Sequence, residues 1–419
     1  MHFPVLNVSQ CTLLAILLGP IALSFRPDSI WRKILLPVQA CILINAFVAP
    51  LPAHRSQADL YNVGLVLGTW AAKIVDRIYI HKPEDTFLRK GVDDRPSQGP
   101  QTYGPWRKFL WAGELIISGR GVGWNWQVAG AKSSHNVGKK TFILDRLQRM
   151  MITFFLIDMV ARVSESILAD NGISLWGTHL SHSLFLHFFI TAGWLTVIYG
   201  HITLPENLCA ILMVALGSGG RWSDPSQWPP MFGSISEAYT LRRFWGKFWH
   251  AALRRSTNAP GLWIMERFPS TKRPTTRAGI LTKRYGFLFL AFGVSGLIHA
   301  SGSYIVTRNR KSGISDGGAL VYFFAQPIAI VVEDLVHHVL GIHDNGQPSI
   351  LRRVVGYVYV SAFWLWCFPN LKVVPLAHAH GIYDSRGPML GAVRACGELA
   401  RAMPFNPAQT IIDNYLTHL

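Results

Sequence analysis

The sequence predicts an all-α protein, a polytopic transmembrane bundle of about eight to ten helices. Charged residues make up only 15% of the 419 residues, whereas soluble proteins average about 25%. Apolar residues make up 50% and gather in long runs that a soluble core would not need. Several runs reach about 20 residues, the length at which a helix crosses the hydrocarbon core of a bilayer.

The apolar runs follow one another along the chain and account for the predicted helices. The first run contains no Asp, Glu, Lys or Arg, and we expect it to remain as a membrane span rather than be removed as a signal peptide. The runs are Met1–Phe25, Ile34–Ala53, Leu60–Ala72, Met150–Ala169, Asn171–Pro205, Asn207–Gly220, Tyr285–Thr307, Gly317–Leu340 and Val354–Leu371. A weaker helix is expected after Gly387. Because no internal repeat is visible, the sequence predicts a single integral-membrane domain over 1–419.

The chain is strongly basic, with 40 Lys and Arg against 23 Asp and Glu, and a formal net charge of +17. Two long segments between apolar runs, Lys73–Arg149 and Arg221–Arg284, carry 14 and 12 of these basic residues. A basic excess favours nucleic acid, an anionic membrane surface or an anionic substrate as partner. The apolar runs argue against nucleic acid, so the lipid bilayer and an anionic small molecule are the expected partners.

One ionisable residue lies deep inside the run Tyr285–Thr307. On a helix, Ser295, His299 and Ser303 share one face because they are spaced at i, i+4 and i+8. An ionisable residue within a membrane span is a functional-site hypothesis by default. The alternative at this stage is a neutral histidine that hydrogen-bonds a neighbouring helix for structural reasons.

The segment Leu241–Arg255 mixes aromatic and basic residues and ends one turn after His250. On a helix, Trp245 and Trp249 are i, i+4 neighbours, and so are Arg243 and Lys247. This pattern is typical of a helix anchored at the membrane interface. It is equally consistent with an anion site for a phosphate-bearing substrate, with His250 at its edge and Arg254 and Arg255 adding to the basic residues.

A third group of polar residues lies in the run Gly317–Leu340. Gln326, Glu333 and His337 lie on one helical face if Pro327 does not break the helix. Glu333 and Asp334 need partners inside an apolar segment, with Arg or His as candidates. A structural ion pair is favoured over a catalytic carboxylate.

Four segments together resemble the signatures of the wax-synthase-like branch of the membrane-bound O-acyltransferases. Arg243–His250 is similar to the signature RFWGxxWH, and Phe292–His299 is similar to FxxSGLxH. Arg120–Trp126 resembles the RGxGWxW element that precedes them, while Gln326 and Glu333 resemble a downstream FFxxQ…E helix. In size and loop length the chain resembles the fungal acetyltransferases that modify terpenoid and meroterpenoid products.

The resemblance spans about 120–371 and implies transfer of an acyl group from acyl-CoA to the hydroxyl of a hydrophobic small molecule. It implies acetyl-CoA as co-substrate, no bound cofactor or metal, and a multi-pass protein of the endoplasmic reticulum. His299 occupies the position of the intramembrane catalytic histidine, and His250 the position where other branches carry Asn. Ala300 stands where the family often has Glu.

This chemistry assigns expected roles to the remaining polar and aromatic residues. His299 is the expected general base, and His250 or a Trp N–H the donor to the oxyanion. Ser295 or Ser303 would orient His299, and Arg243, Lys247, Arg254 and Arg255 would bind the CoA phosphates. The expected residues for the acyl-CoA, the oxyanion or the acceptor are Trp245, Trp249, Arg243, Lys247, Arg254, Ser295, Ser303, Gln326 and Glu333.

Three alternatives stay open from the sequence. A wax ester synthase would use the same two histidines with a long-chain acyl-CoA and a fatty alcohol. A membrane hydroxylase needs dense histidine boxes, and the 16 histidines of this chain form no HxxHH motif. A transporter would place its substrate at broken, repeated helices.

Overall fold

A computed structural model of the protein describes residues 5–52, 56–93, 99–131, 137–169, 179–217, 220–342, 349–382 and 388–402. Within these ranges the secondary structure is helical, apart from one isolated β-bridge between Arg89 and Trp124. The all-α fold class is therefore confirmed. The part of the expected run Asn171–Pro205 before 179, and the tail after 402, lie outside the described residues.

The described residues form fifteen α-helices, joined by turns and by short π- and 3₁₀-helices. The α-helices are α1 Val8–Ser24, α2 Ile30–Ala46, α3 Gln57–Ile74, α4 Pro83–Thr86, α5 Pro105–Ile117, α6 Lys139–Ala169, α7 His179–Leu216, α8 Leu241–Arg243, α9 Arg254–Met265, α10 Pro269–Lys272, α11 Arg277–Thr307, α12 Ala319–Val339, α13 Ile350–Phe368, α14 Val374–Ala379 and α15 Pro388–Arg401. The π-helices are Val75–Ile80, Phe244–Phe248 and Pro369–Val373. The 3₁₀-helices are Pro100–Thr102, Gly220–Ser223, Pro225–Gln227 and Ile235–Glu237.

Four helical stretches of the described residues are long and apolar enough to cross a membrane, which fits a membrane protein. They are Leu184–Leu216, Arg277–Thr307, Ala319–Val339 and Ile350–Ala379. The sequence predicted about eight to ten such helices. The difference arises mainly at the N-terminus, where α1 and α2 have only 17 residues each, and at α6, which carries several charged residues along its 31 positions.

Two runs that the sequence separated belong to one helix. The expected boundary lay at Pro205 and Glu206, yet α7 continues through both. Arg146 of α6 donates from Nη1 to Glu206 Oε2 at 3.2 Å and to Asn207 Oδ1 at 2.6 Å. Arg146 thus pairs with the charge of Glu206 and hydrogen-bonds the amide of Asn207. Prolines are tolerated in long apolar helices when the backbone groups that they leave unbonded find other partners.

Contacts between residues divide the chain into two compact units. The first unit comprises Met1–Ala131, Trp249–Asp316 and Phe323–His343, and the second comprises Lys132–Phe248, Gly317–Tyr322 and Asp344–Leu419. The expectation of one domain over 1–419 stays a prediction, because compact units of one helical bundle need not fold separately.

The first unit packs α1 against α2 and α5, and α11 against α3 and α9. Its core contains Leu67, Trp111, Trp124 and Ile305, all with no exposed surface. In the second unit, α6, α7 and α15 pack against one another, and α13 packs against α7. Both histidines of the sequence-based hypothesis, His250 and His299, belong to the first unit.

Candidate active site

The contact between α3 and α11 positions His299, and small residues make it close. A Cβ atom on Gly64 of α3 would lie 2.4 Å from the carbonyl oxygen of Ser301, and one on Gly302 of α11 would lie 2.6 Å from the Tyr61 ring. The Ser301 hydroxyl donates a hydrogen bond to the Gly64 carbonyl oxygen at 2.7 Å. Small residues of this kind let two helix backbones approach in an apolar environment.

His299 has two aromatic neighbours in the first unit. The Tyr61 hydroxyl oxygen lies 3.4 Å from His299 Nδ1, within hydrogen-bonding distance. The ring of Phe323, from α12, stacks on the imidazole with 4.7 Å between centroids and 26° between planes. The contact with Tyr61 defines the direction of Nδ1, and the stacking of Phe323 defines the plane of the imidazole.

Among the described residues Ser303 does not hydrogen-bond His299, and the expected role of Ser295 stays a prediction. The Ser303 side chain is fully buried, and its hydroxyl has no hydrogen-bonding partner there. Ser295 is half-buried on the same helix. The shared helical face was predicted correctly, but side chains one turn apart on that face need not bond each other, and Tyr61 of another helix supplies the hydroxyl beside His299.

The segment before His250 is not the continuous α-helix that the i, i+4 spacings assumed. After α8 comes the π-helix Phe244–Phe248, and Trp249 and His250 lie beyond its end. Gly233 donates its N–H to the Phe248 carbonyl oxygen at 2.8 Å, and a Cβ atom at 233 would stand 2.1 Å from the Lys247 carbonyl oxygen. Single π-helical turns are rare and often lie at functional sites.

In the second unit, the basic residues of this segment are engaged by a carboxylate. Glu237 accepts from Arg243, and Lys247 Nζ lies 3.2 Å from Glu237 Oε2. Lys247 keeps about half of its side chain exposed, so its charge remains accessible to an anion. Trp245 packs against Trp364 with 5.8 Å between ring centroids, which places it in an aromatic cluster of this unit.

In the first unit, the Trp249 and His250 rings lie 5.4 Å apart. Burial, with a smaller contribution from the positive charge of Arg254, lowers the pKa of His250 to about 4. An uncharged imidazole retains one N–H and donates a hydrogen bond without carrying a charge. His250 is therefore neutral near pH 7 and suited to stabilise a developing oxyanion.

The glycine-rich loop over Arg120–Trp126 adjoins this region of the first unit. Gly121 adopts a positive φ of 61°, and a Cβ atom there would lie 2.5 Å from the Trp126 ring. Farther along the loop, the Ala129 carbonyl oxygen accepts a hydrogen bond from Arg254 Nη1 at 2.8 Å. The loop thus holds the arginine that acts on His250. The sequence analysis singled out the glycines and tryptophans of this loop, but not the hydrogen bond between Ala129 and Arg254.

Arg255 is held by a buried carboxylate that the sequence analysis did not single out. Asp76 is fully buried and accepts from Arg255 Nε and Nη2 at 3.3 Å. His81 Nε2 lies 2.9 Å from the same Nη2 and 3.4 Å from Asp76 Oδ1. Arg255 thus forms an ion pair with a buried carboxylate inside the first unit. The signal in the sequence was an acidic residue just after an apolar run.

The polar residues of α12 take two different roles. The helix continues through Pro327, so Gln326 and Glu333 share a face as expected, and both are buried, at 1% and 6% exposure. Asp334 Oδ2 accepts from Arg284 Nη2 at 2.9 Å and from the Tyr285 hydroxyl at 3.0 Å. The structural ion pair is thus confirmed for Asp334. Among the described residues, no three His, Cys, Asp or Glu side chains lie together as metal ligands would.

An apolar cavity of about 550 Å³ lies in the first unit along α3 and α11. Its volume is in the range of small-molecule sites. From α3 it is lined by Gly68, Ala71 and Ala72, and from α11 by residues that include Leu297 and Tyr304. His299 is not among its lining residues, but its chain neighbours Ile298 and Ala300 are. The prediction that both histidines face one central cavity stays a prediction.

Comparisons with known proteins agree with these features. Residues 228–357 match the model of the membrane bound O-acyl transferase family. The chain is 37% identical to the O-mevalon transferase macI of Penicillium terrestre over 376 residues, 89% of this chain and 86% of that protein. It is 36% identical to the O-mevalon transferase yanI of Aspergillus niger, over 94% of this chain and 91% of that protein. It is 29% identical to the acetyltransferase eriL of Hericium erinaceus, over 80% and 87%.

No solved structure matches the chain significantly. The matched family region contains His250 and His299, and the similarity to macI and yanI extends along nearly the whole chain in both directions. The apolar helices of the structure agree with a membrane enzyme. The chain therefore belongs to the membrane bound O-acyl transferase family and is an enzyme that transfers acyl groups.

Proposed function

We propose that this enzyme transfers a mevalonyl group from mevalonyl-CoA to a hydroxyl of an apolar secondary metabolite, within the membrane of the endoplasmic reticulum. The observation that carries the proposal is the similarity to two O-mevalon transferases, at 37% and 36% identity over about nine tenths of the chain. Acetyl transfer from acetyl-CoA is the second candidate. It is the transfer expected from the sequence, and it is supported by the similarity to the acetyltransferase eriL.

In the proposed reaction His299 is the general base. Its Nε2 takes the proton of the acceptor hydroxyl as the hydroxyl oxygen attacks the thioester carbonyl carbon. The tetrahedral intermediate then collapses, the C–S bond breaks, and the imidazolium returns its proton to the CoA thiolate. General-base catalysis by a positioned histidine typically contributes about 10²–10⁴-fold. No covalent acyl-enzyme is needed.

His250 is proposed as the hydrogen-bond donor to the thioester oxygen. That oxygen gains negative charge as the tetrahedral intermediate forms, and a preorganised donor at such a position is commonly worth 10²–10³-fold. The lowered pKa of His250 supports this role, because a neutral imidazole still donates one N–H. Arg254, which belongs to the same unit as His250, is proposed to bind the phosphates of CoA, since cations bind phosphates by charge-assisted hydrogen bonds.

The apolar part of the acceptor is proposed to occupy the cavity along α3 and α11, with its reacting hydroxyl directed at His299, whose chain neighbours Ile298 and Ala300 line the cavity. The cavity is lined almost entirely by apolar atoms, which suits a terpenoid ring system better than a charged or sugar-like acceptor. The acyl group to be transferred is polar and needs hydrogen-bonding partners in its binding site. A mevalonyl chain has six carbons and two hydroxyls, so its binding requires buried polar partners. Gln326 and Glu333, buried at 1% and 6% exposure on one face of α12, are the proposed partners.

The test uses membranes that contain the full chain, supplied with mevalonyl-CoA, acetyl-CoA or palmitoyl-CoA and a panel of apolar alcohols. Ester products are identified by mass spectrometry, and His299→Ala and His250→Ala are assayed at equal protein levels. We expect mevalonyl esters to form, to vanish in His299→Ala and to decrease by about 10²-fold or more in His250→Ala.

The assays with the three acyl-CoA donors distinguish the candidate functions. Acetyl esters alone would replace the mevalonyl proposal with acetyl transfer. Palmitoyl esters of a fatty alcohol would make the chain a wax ester synthase. Ester formation that persists in His299→Ala would overturn the assignment of the general base whatever the donor.

A further inference from the structure

We infer that Tyr61 is a positioning residue for His299: its phenolic oxygen accepts a hydrogen bond from the His299 Nδ1–H and thereby leaves Nε2 as the nitrogen that accepts a proton. The inference rests on the proposed role of His299 as general base. It concerns a residue far from both histidine motifs, since Tyr61 precedes His299 by 238 positions.

The geometry provides two constraints on the imidazole. Tyr61 Oη lies 3.4 Å from Nδ1, and the Phe323 ring stacks on the imidazole with 26° between planes. With one nitrogen directed at the phenol and one face covered by Phe323, the ring is restricted in rotation about both side-chain torsions. One ring carbon separates Nε2 from Nδ1, so Nε2 faces a different direction from the nitrogen that contacts Tyr61.

The packing of the two helices determines the position of the phenol. Gly302 lies directly against the Tyr61 ring, where a Cβ atom would be 2.6 Å from Cε2. The Ser301 hydroxyl, one position earlier, donates to the Gly64 carbonyl oxygen at 2.7 Å. Gly64 is one turn beyond Tyr61 on α3. Two contacts on successive positions of α11 therefore hold α3 in a register that keeps the Tyr61 hydroxyl beside His299.

The chemistry explains why this position matters. A neutral imidazole carries its proton on one nitrogen, and the hydrogen bond of that nitrogen selects the tautomer. When Nδ1–H donates to Tyr61, Nε2 carries the lone pair that takes the acceptor's proton. As the imidazolium forms, the Nδ1–H becomes a charged donor, and hydrogen bonds with a charged partner are stronger than neutral ones. The contact thus strengthens as the proton is transferred.

The residue that follows His299 in the chain is Ala300. The alanine side chain offers no hydrogen-bond acceptor. The Ser303 hydroxyl is fully buried without a hydrogen-bonding partner among the described residues. The Tyr61 hydroxyl, by contrast, lies 3.4 Å from His299 Nδ1.

The test compares Tyr61→Phe with the wild type in the ester-forming assay, using the full chain in membranes. The variant keeps the ring that packs on Gly302 and removes only the hydroxyl. We expect kcat to fall roughly 10- to 100-fold, as for the loss of a hydrogen bond to a charged group. The KM values for acyl-CoA and acceptor, and the thermal unfolding midpoint in detergent, should stay close to those of the wild type.

Tyr79→Phe is the matched control. It removes a phenol of the same unit whose hydroxyl donates to the Leu36 carbonyl oxygen at 2.7 Å, far along the chain from either histidine motif. Its kcat should equal that of the wild type. A merely structural role for Tyr61 would instead lower the unfolding midpoint, or raise both KM values, without a selective loss of kcat.

The outcomes distinguish this inference from the proposed function. If His299→Ala abolishes ester formation while Tyr61→Phe keeps the wild-type kcat, the inference is wrong and the general base stands. If His299→Ala is as active as the wild type, the proposed function of His299 is wrong and the role of Tyr61 is overturned with it.

Discussion

The Ser301 hydroxyl donates to the Gly64 carbonyl oxygen at 2.7 Å, and the same two residues are so close that a Cβ atom on Gly64 would lie 2.4 Å from the Ser301 carbonyl oxygen. This contact joins α3 to α11, the helix that carries His299. It has consequences both for stability and for the geometry of the site.

Gly64→Ala is expected to destabilise the protein by about 1–3 kcal/mol, because the added methyl group meets backbone atoms of α11 that cannot move aside independently. It should also lower kcat, because the displacement of α3 carries Tyr61 away from His299. Denaturation in detergent and the ester-forming assay measure the two effects.

Gly113→Ala on α5 is the control for that experiment. A Cβ atom at Gly113 meets nothing within 4 Å, and alanine favours a helix over glycine by about 1 kcal/mol. The control should therefore be neutral or stabilising. Equal stability losses in both variants would show that the loss is not due to the α3–α11 contact.

Ala72→Trp tests the apolar cavity as the acceptor site. The indole would fill part of the volume that Ala72 lines, so the KM for the acceptor should rise roughly tenfold or more, as expected for a steric conflict of 1–3 kcal/mol. The KM for acyl-CoA should not change. Val66→Trp, at an exposed position of the same helix that does not line the cavity, should leave both KM values unaltered. A KM for the acceptor that is equal in both variants would place the acceptor elsewhere.

Glu84→Gln tests a buried charge cluster of the first unit. Glu84 bonds Arg32, and Lys108 Nζ lies 2.8 Å from it, with all three residues no more than 7% exposed. The substitution leaves two buried cations without their counterion, and we expect a loss of about 3–5 kcal/mol in the free energy of unfolding.

The control is Asp28→Asn, whose partner Arg26 is 3.6 Å away with both side chains largely exposed. That change should cost less than about 1 kcal/mol. Burial alone would raise the pKa of Glu84, but the hydrogen bonds and charges of Arg32 and Lys108 outweigh it and lower the pKa. The wild type should therefore lose this stabilisation as the pH falls below about 4.5, and an unchanged acid sensitivity in Glu84→Gln would contradict the assignment.

His250 gives a second dependence of stability on pH. Here the charged form of the side chain is the protonated one, and burial disfavours it. Its pKa is about 4 in the folded protein and about 6.5 when unfolded. Above pH 6.5 both states are neutral there, so the residue contributes no dependence on pH. Between pH 6.5 and pH 4 the unfolded chain binds a proton that the folded chain does not, so stability falls by at most about 3 kcal/mol.

Unfolding in detergent at a series of pH values between 7.5 and 4.5 measures this effect. His250→Gln should lose less stability across that range than the wild type. Identical slopes for His250→Gln and the wild type would mean that His250 is not buried in its neutral form.

Several features of the site followed from local sequence patterns. The helix around His299, the face shared by Ser295, His299 and Ser303, and the continuous face of Gln326 and Glu333 depend on the 3.6-residue period alone. The signatures around His250 and His299 indicated the family, which the similarity to macI and yanI bears out. Membership of that family sets aside the hydroxylase and transporter alternatives.

Other expectations failed where distant residues intervene. The i, i+4 pairs of Arg243 with Lys247 and Trp245 with Trp249 assumed an α-helix, but the chain forms a π-helix there, held at Gly233 by a hydrogen bond to Phe248. The apolar runs on either side of Pro205 are one helix, and Arg146 of α6 pairs with Glu206 and Asn207, the polar residues that follow the proline.

The sequence by itself determined which helices form and which residues belong to the family motifs, because periodicity and hydropathy act over neighbouring positions. Only the tertiary structure decided the partners of those residues. Tyr61 beside His299, Asp76 with Arg255 and Ala129 with Arg254 are separated by 238, 179 and 125 positions. Such pairs depend on the register and the distance between packed helices and loops. Small residues such as Gly64 and Gly302 set that distance where two helices meet. The pattern of neighbouring positions does not show which segments will pack together.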